Sequence, residues 1–213
     1  TTSPTTPAAT VWGGAGVEFG SVICSWGFNG WYDGDPRGIS AGHCPYAGGG
    51  SVTVNGSALG TVDWWQFGAP GSAWESWGTD LTTVDTRSTH SLPASVTTYG
   101  STVTVTGQAE TVVGMPVCKS GRRTGWTCTR VRSVGWQWIG DGSGDINRPK
   151  RWVWSLFADT RAIPGDSGGP WVAGHKAVGI TSSYDAYADG SPYATASLVT
   201  DLADWRPGAE VKF

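Results

Sequence analysis

Residues 165–170, GDSGGP, surround one hydroxyl with three glycines and an acid. Glycine loses more backbone entropy on folding than other residues, so this density indicates a conformation that they cannot adopt. A serine hydroxyl becomes a nucleophile only when a base lies within hydrogen-bond reach and a third group orients that base. The N–H groups of Gly165 and Ser167, unobstructed by neighbouring side chains, are candidate donors to an oxyanion. The alternative is a glycine-rich turn in which Ser167 has no chemical role.

The base for such a nucleophile has few candidates, because the chain contains only three histidines. His43 lies in GISAGHCPY, where small residues leave the imidazole free and the neighbouring Cys44 can anchor it. His90 falls in a polar stretch that we expect at the surface, and His175 falls at an expected hairpin turn. No histidine has a second histidine or cysteine at metal-ligand spacing, so we expect no metal site. His43 is therefore the preferred base.

A carboxylate must hold the tautomer of that imidazole, and three aspartates qualify. Asp80 and Asp85 flank the strand-like run LTTV, and Asp63 lies in GTVDWW. The residues alone do not choose among the three. A Ser-His-Asp set of this kind needs no metal and no organic cofactor.

The composition describes the scaffold that must position these groups. The 213 residues include 33 Gly and 14 Trp, and only 15% are charged, which is typical of an all-β chain with many turns. The net charge is −3, and the densest basic group, Arg122, Arg123, Arg130 and Arg132, is too sparse to follow a phosphate backbone. No apolar run approaches the ~18–20 residues that span a bilayer. Nucleic acid and membrane are therefore not expected partners.

The cysteines indicate the compartment. Cys24, Cys44, Cys118 and Cys128 form an even set without a CxxC pair, so zinc and redox motifs are not favoured. Two disulfides in a secreted, extracellular protein are the favoured interpretation, and three pairings are open. The alternative is four buried thiols in a cytosolic protein.

The order of motifs along the chain favours many short strands. Residues 1–10, TTSPTTPAAT, are expected to form an extended tail or linker. Asn55-Gly56, flanked by alternating residues, predicts a tight hairpin. Residues 95–107 and 175–184 are expected to form further strands. Residues 197–205 are the one plausible helix, since Leu198, Leu202 and Trp205 recur at helical spacing.

Three motifs together resemble those of the chymotrypsin-like serine peptidases, both in their residues and in their order along the chain. They are SAGHC at 40–44, TDLTTV at 79–84 and GDSGGP at 165–170. CKSGRRTGWTC at 118–128 is similar to a segment of the secreted bacterial members, the streptogrisins and α-lytic protease. VWGG at 11–14 and GITSS at 179–183 resemble the family's first strand and its substrate-binding strand. The resemblance covers about residues 11–205.

This resemblance implies two six-stranded antiparallel β-barrels and a short C-terminal helix. It implies an N-terminal barrel at 11–95, a C-terminal barrel at 96–213, and disulfides Cys24–Cys44 and Cys118–Cys128. It selects Asp80 as the partner of His43 and Ser167, for hydrolysis of a polypeptide through an acyl-enzyme. We expect a monomer. Because the bacterial relatives use an N-terminal pro-region as a folding aid, we also expect a pro-region in a precursor of this chain.

The sequence departs from the animal relatives at its start, because ten residues precede Val11 and no free amino group is expected there. In those relatives that amino group pairs with the aspartate before the nucleophile, here Asp166. The bacterial relatives place a basic side chain after the first cysteine of the CxSG segment, which is Lys119 here. We therefore expect a buried Lys119–Asp166 pair.

The resemblance also assigns a substrate-binding region, with departures. Ser182, Ser183 and Tyr184 are expected to pair with the substrate backbone, and Ser182 to support Asp80. Tyr184 stands where the family often has glycine and is expected to narrow the specificity pocket, with Ala162 and Ala194 nearby. The cysteine that closes this pocket in close relatives is absent. Arg161 either favours an acidic side chain or faces solvent, and the second is preferred.

Two other functions compete with peptide hydrolysis. The first is a catalytically silent binding module on the same fold, which the three filled catalytic positions disfavour. The second is an aromatic carbohydrate-binding surface, because 14 Trp include close pairs such as Trp136 and Trp138. Tryptophan is more often buried, and that pair is compatible with an ordinary strand.

Overall fold

The structure is a computed structural model, and it describes residues 9–70, 78–86, 90–140 and 151–213. Within these ranges the chain forms strands almost throughout, with short helices α1 (His43–Gly48) and α2 (Leu202–Trp205). The strands are β1 (Gly16–Phe19), β2 (Val22–Ser25), β3 (Phe28–Tyr32), β4 (Asp35–Ser40), β5 (Ser51–Val54), β6 (Ser57–Phe67), β7 (Ala69–Pro70), β8 (Asp80–Asp85), β9 (Ser95–Thr97), β10 (Thr102–Thr104), β11 (Pro116–Gly121), β12 (Gly125–Ile139), β13 (Arg151–Ala158), β14 (Pro170–Ala173), β15 (Lys176–Ala186), β16 (Pro192–Leu198) and β17 (Ala209–Val211).

The first sheet has eight strands in the order β17-β3-β4-β8-β6-β5-β1-β2. Only Trp26 and Gly27 separate β2 from β3, so the two are halves of one bent strand. Counted in that way, the antiparallel pairings return to their starting point after six strands. The C-terminal strand β17 is added at one edge, against β3.

The second sheet has the order β12-β11-β14-β15-β16-β13-β7. A further antiparallel pairing of β12 with β13 closes six of these strands into a ring, and β7 lies outside it against β13. The all-β prediction is confirmed, and each predicted barrel corresponds to one ring of six pairings. The predicted division into units 11–95 and 96–213 stays a prediction, and β17 carries the end of the chain back to the first ring.

Local structure follows the turn chemistry of the sequence. Asn55 (φ 49°) and Gly56 (φ 76°) both lie in the left-handed region, as a two-residue hairpin between β5 and β6 requires. Residues 95–107 contain strands, as predicted, and the two strands β9 and β10 pair with each other. Ser91 donates its N–H to the Ala9 carbonyl at 3.1 Å, and Thr10 forms a bridge with Ser91, so order extends two residues further than predicted. The rest of the predicted tail, residues 1–8, lies outside the described residues.

The predicted helix at 197–205 is wrong in its first half. Residues 197 and 198 end β16, a single 3₁₀ turn spans Val199–Asp201, and the α-helical part is only Leu202–Trp205. Leu198 and Leu202 are both buried, but in different interiors: Leu198 ends a strand in the core of the second barrel, and Leu202 packs into the core of the first. The helices of the described residues have neither the length nor the apolar character of a membrane span.

The interior of the first barrel is built around Trp26, which is fully buried. Its indole N–H donates to Asn29 Oδ1 at 2.7 Å, and its six-membered ring lies against the backbone of Gly38. A Cβ on Gly38 would lie 1.7 Å from Trp26 Cζ2. The close approach of ring and strand therefore requires glycine at this position.

We expect Gly38→Ala to destabilise the protein by at least about 1–3 kcal/mol, because a buried indole must move to admit the methyl group. The matched control is Gly50→Ala, since a Cβ there meets no atom within 4 Å. Urea unfolding followed by fluorescence measures both, and the control should change by less than about 0.5 kcal/mol. Equal effects of the two substitutions would contradict this account of the core.

Candidate active site

The loop that carries Ser167 is shaped by glycines that no other residue can replace. Gly165 has φ +102°, and Gly168 has φ +84°, both in the left-handed region. A Cβ on Gly168 would lie 2.1 Å from Ser40 Oγ and 2.5 Å from the Ser25 carbonyl oxygen. The Ser25 side chain in turn donates to the Gly165 carbonyl at 2.8 Å. The loop of the second barrel is thus pressed against the first.

The backbone donors around Ser167 divide into two groups. The N–H groups of Asp166, Gly168 and Gly169 donate to carbonyls at 3.0, 2.8 and 3.0 Å. Within the described part of the chain, the N–H groups of Gly165 and Ser167 have no acceptor. Two free donors two residues apart, on either side of a bonded one, are the arrangement that an oxyanion site requires.

His43 is held by Asp80 at two points. Its ring Nδ1 lies 2.7 Å from Asp80 Oδ2, and its backbone N–H donates to Asp80 Oδ1 at 2.7 Å. His43 begins helix α1, and Asp80 begins strand β8, so the pair joins two elements of the first barrel. The ring is 22% exposed and the carboxylate is fully buried. This bonding fixes Nδ1 toward the acid and leaves Nε2 for other partners.

Residues of the second barrel complete the surroundings of Asp80. The buried Ser182 hydroxyl donates to Asp80 Oδ2 at 2.6 Å, and the Asp80 N–H donates to Ser197 Oγ at 3.0 Å. Burial by itself lowers the pKa of His43, but the charge and hydrogen bond of Asp80 outweigh it. The net effect raises the pKa of His43 above its ordinary 6.5.

The other two candidate carboxylates lie elsewhere, in an arginine network. Asp63 Oδ2 accepts from Arg37 Nε at 2.8 Å and from Arg206 Nη2 at 2.7 Å. Asp85 lies 3.7 Å from Arg37 Nη1. These ion pairs account for both acids structurally, so the geometry singles out Asp80 as the partner of His43.

The other two histidines are also apart from this site. His90 Nε2 contacts the Ala58 carbonyl at 3.2 Å, and His175 Nδ1 contacts the Thr104 carbonyl at 2.8 Å. His175 lies in the turn between β14 and β15, as predicted. Both contacts tie loops to neighbouring backbone.

Asp166 and Lys119 are both buried beneath the Ser167 loop, with the Lys119 ammonium 3.9 Å from Asp166 Oδ2. The carboxylate accepts three backbone bonds, from Arg123 and Thr124 at 2.9 and 3.0 Å and from Ile163 at 3.1 Å. The ammonium donates to Thr124 Oγ1 at 2.5 Å. Burial lowers the pKa of Lys119, and the Asp166 charge partly offsets this. Backbone N–H groups are therefore the direct support of Asp166, and Lys119 supplies the balancing charge.

Two disulfides brace the site, Cys24–Cys44 beside His43 and Cys118–Cys128 between β11 and β12. Both pairings are those that the resemblance implies. Among the described residues, one group of potential metal ligands lies close together, formed by Cys24, His43 and Cys44. Because the two sulfurs are bonded to each other, neither offers the thiolate that a metal binds.

His43 and Ser167 line one cleft of about 570 Å³ between the barrels. Ser182, Ser183 and Tyr184 of β15 also line it, and Tyr184 is 43% exposed. The pairing of β14 with β15 ends at Ile180. Thr181 still exchanges backbone bonds with Gly168 and Gly169, both at 2.8 Å. From Ser182 to residue 186, β15 pairs only with β16 in the described structure, so this part of its cleft-side edge is open. An open edge can accept an extended peptide.

Ala162 and Ala194, predicted to touch substrate, lie elsewhere. Both are at most 3% exposed and belong to the apolar interior of the second barrel, not to the lining of the cleft. Their small side chains fill space between packed strands, and their assignment to the substrate-binding region stays a prediction. Arg161 is exposed, which agrees with its solvent-facing alternative.

Several cleft residues were missed from the sequence, most of them aromatic: Tyr46, Phe67, Gln137, Trp138 and Tyr193. The Phe67 ring lies 5.7 Å from the His43 ring, and the Gln137 amide donates to Ser183 Oγ. Gln137 is a polar residue within the aromatic stretch GWQWI, and its position there was the one indication in the sequence of a role other than packing. The others resemble ordinary strand and helix residues.

The chain forms two rings of six strands, and a histidine–aspartate pair and a glycine-flanked serine lie at their junction. This is the architecture of the chymotrypsin-like serine peptidases. The Trypsin family model matches residues 39–206, so this chain belongs to the trypsin family of serine endopeptidases.

Similar proteins come from bacteria. The chain is 34% identical over 164 residues to streptogrisin-C of Streptomyces griseus, covering 76% of this chain and 32% of that protein. Nocardiopsis protease superposes with a TM-score of 0.77 at 25% identity, covering 96% of this chain and 100% of that one. Thermobifida fusca protease A gives 0.74 at 30% identity, covering 95% and 98%. The chain spans only 26–40% of the curated relatives' length.

We expect Asp166→Asn to destabilise the protein by about 3–5 kcal/mol, because it leaves a buried ammonium and disturbs three backbone bonds. Lys119→Met should cost about 1–2 kcal/mol, since the carboxylate keeps its backbone donors. Urea unfolding at neutral pH measures both.

The control for this pair is Arg132→Met, which breaks an exposed ion pair of 3.1 Å with Asp159. It should cost less than about 1 kcal/mol. A cost for Lys119→Met equal to that of Asp166→Asn would show that the ammonium, and not the backbone, holds the carboxylate.

Proposed function

We propose that this chain is a secreted serine endopeptidase in which Ser167, His43 and Asp80 act together. The single observation that carries the proposal is the buried Asp80 carboxylate bonded at 2.7 Å to the imidazole of His43, which shares its cleft with Ser167. His43 takes the proton of Ser167 as that hydroxyl attacks a peptide carbonyl carbon. His43 then gives the proton to the leaving amine, and Asp80 stabilises the charged ring meanwhile.

The tetrahedral oxyanion is stabilised by the N–H groups of Gly165 and Ser167. Their lack of an internal acceptor supports this role, because a donor already in use would have to break a bond at the moment of reaction. Water then enters, His43 activates it, and the acyl-enzyme is hydrolysed to free Ser167. Every proton transfer passes through His43, and the chemistry requires neither a metal nor a cofactor.

The substrate is a polypeptide bound in extended form against the open edge of β15. Backbone groups of Ser182–Tyr184 pair with it in the manner of an added strand. Support comes from the end of the β14 pairing at Ile180 and from the position of these residues on the cleft. Tyr184 narrows the cleft where a glycine would leave it wide.

The setting of this activity is extracellular, with the enzyme acting as a monomer. Two disulfides and the likeness to streptogrisin-C support an oxidising compartment. The low content of basic residues supports the view that neither nucleic acid nor membrane is a partner. A pro-region in the precursor is proposed on the resemblance to the bacterial members alone.

The competing function is a silent binding module on the same scaffold. It is kept as a candidate because the aromatic residues of the cleft would also bind a ligand without cleaving it. The two functions differ in whether Ser167 is activated, which a reagent specific for activated serines measures directly.

We expect a fluorophosphonate probe to label the protein at a 1:1 ratio, with the added mass on Ser167. Ser167→Ala removes the acceptor and His43→Ala removes the base, so neither should be labelled. The control is His175→Ala, whose ring contacts only a carbonyl of a distant loop. Intact-mass spectrometry reads all four proteins. A folded wild-type protein that stays unlabelled would favour the silent module.

The labelling rate should rise with pH and reach half its maximum above pH 6.5, because only the neutral imidazole acts as a base and Asp80 raises the pKa of His43. Asp80→Asn removes that charge, so the midpoint should fall. The peptidase rate should also fall about 10⁴-fold, the effect known for the same change in the archetype of this family. Stopped-time labelling from pH 5 to 9 measures the midpoints, and an unchanged midpoint in Asp80→Asn would contradict the assignment.

A further inference from the structure

The hairpin of β12 and β13 carries a ladder of four indoles. Trp136 lies opposite Trp154, and Trp138 opposite Trp152. The ring centroids are 5.1 Å apart in the first pair and 6.4 Å apart in the second. Residues 136 and 138 share one face of β12 because side chains alternate along a strand. The ladder therefore runs along a single face of the hairpin.

At one end of this ladder lies a cavity of about 320 Å³, separate from the catalytic cleft. Three indoles line it, contributed by three elements: Trp136 of β12, Trp154 of β13 and Trp205 of α2. Asp201 and Asp204, at the start of α2, line it as well. Its walls thus combine aromatic faces with two carboxylates.

The charges around this cavity have one sign. Asp201 is partly buried, and among the described residues neither it nor Asp204 has a hydrogen-bond or ion-pair partner. Burial first, and then the charges of Asp204 and Glu110, raise the pKa of Asp201 to about 6. The one basic neighbour in sequence, Arg206, is paired instead with Asp63. In the part of the chain that the structure describes, no cation compensates these two carboxylates.

We propose that this cavity, lined by three tryptophans and two aspartates, binds the guanidinium or ammonium group of an arginine or lysine side chain. Aromatic faces attract cations through their quadrupole, and the attraction strengthens as the site excludes water. The two carboxylates add direct charge complementarity and accept the N–H donors of the cation. An anion would be repelled by every charged group in the lining.

The cation belongs to a bound polypeptide. Trp138, which lines the catalytic cleft, is two residues from Trp136, which lines the cavity, a step of roughly 6–7 Å along the strand. A peptide that occupies the cleft can therefore place a basic residue in the cavity. The choice of a bound polypeptide as the source of the cation rests on the proposed function. The cavity itself does not, because its lining does not include Ser167, His43 or Asp80.

The test is ¹⁹F NMR of the Ser167→Ala protein labelled with 5-fluorotryptophan, titrated with N-acetyl-arginine amide and N-acetyl-lysine amide. Resonances of Trp136, Trp154 and Trp205, assigned by single Trp→Phe variants, should shift saturably. The resonance of Trp26 should not, because that indole is fully buried. The neutral N-acetyl-norleucine amide should bind at least about tenfold more weakly, since it lacks the charge.

The variant Asp201→Asn/Asp204→Asn should weaken arginine binding at least about tenfold. Its matched control, Asp35→Asn/Glu210→Gln, removes two exposed acids and should leave binding unchanged. Wild-type affinity should also fall as the pH drops through about 6, where Asp201 becomes protonated. An unshifted Trp26 resonance shows that each variant is folded.

Four results would overturn the proposal. The neutral norleucine amide could bind as tightly as the cations, or the control variant could weaken arginine binding as much as Asp201→Asn/Asp204→Asn does. The shifts could be confined to Trp138, or chitohexaose could produce them in place of the cations. The last would identify a carbohydrate platform. Because binding is measured in Ser167→Ala, these results are independent of the fluorophosphonate labelling. Failure of the cation site and failure of the peptidase assignment are therefore distinguishable.

Discussion

The buried carboxylate of Asp80 is the interaction on which the site depends, because it connects the two barrels as well as orienting a base. It accepts both bonds from His43 within the first barrel and the hydroxyl bond of Ser182 from the second. Its own N–H reaches Ser197. A fully buried carboxylate is tolerated only when its lone pairs accept hydrogen bonds. Separating the barrels would remove the bond from Ser182 and would leave the Asp80 N–H without Ser197. Orientation of the imidazole is consequently coupled to the packing of the whole chain.

A second contact between the barrels positions the loop of Ser167, the proposed nucleophile. Ser25, at the end of β2, donates its hydroxyl to the Gly165 carbonyl and its N–H to the Ser167 carbonyl, at 2.8 and 2.7 Å. It also accepts the Arg122 N–H at 2.9 Å. The first barrel therefore fixes the peptide plane that joins Gly165 to Asp166 and the one that joins Ser167 to Gly168. These bonds hold the loop on which the N–H groups of Gly165 and Ser167 have no acceptor among the described residues, and fixed donors are what the proposed oxyanion site requires.

The parts that could be predicted are those whose chemistry is local in sequence. GDSGGP, SAGHC and Asn55-Gly56 each carry their constraint within a few residues, and the resemblance supplied the disulfide pairings and the choice of Asp80. Ser25 and Ser197 could not be found, because a strand serine looks the same whether it bonds a partner 140 residues away or none. The first half of the helix predicted at 197–205 failed for a related reason: periodically spaced apolar residues fit more than one environment until the packing is known.

The support of Asp166 shows how one electrostatic requirement is met without a free amino group. Three backbone N–H groups neutralise part of the carboxylate charge at short range, and Lys119 balances the remainder from 3.9 Å. A Cβ on Gly121 would lie 2.5 Å from Asp166 Oδ1, so glycine in the SGR segment admits the carboxylate to this nest. Because Arg123 and Thr124 lie in the turn between β11 and β12, the pairing of these strands positions two of the three backbone donors to Asp166. The β11–β12 ladder is one of the six pairings of the second ring, so support of the Ser167 loop is tied to the packing of that barrel.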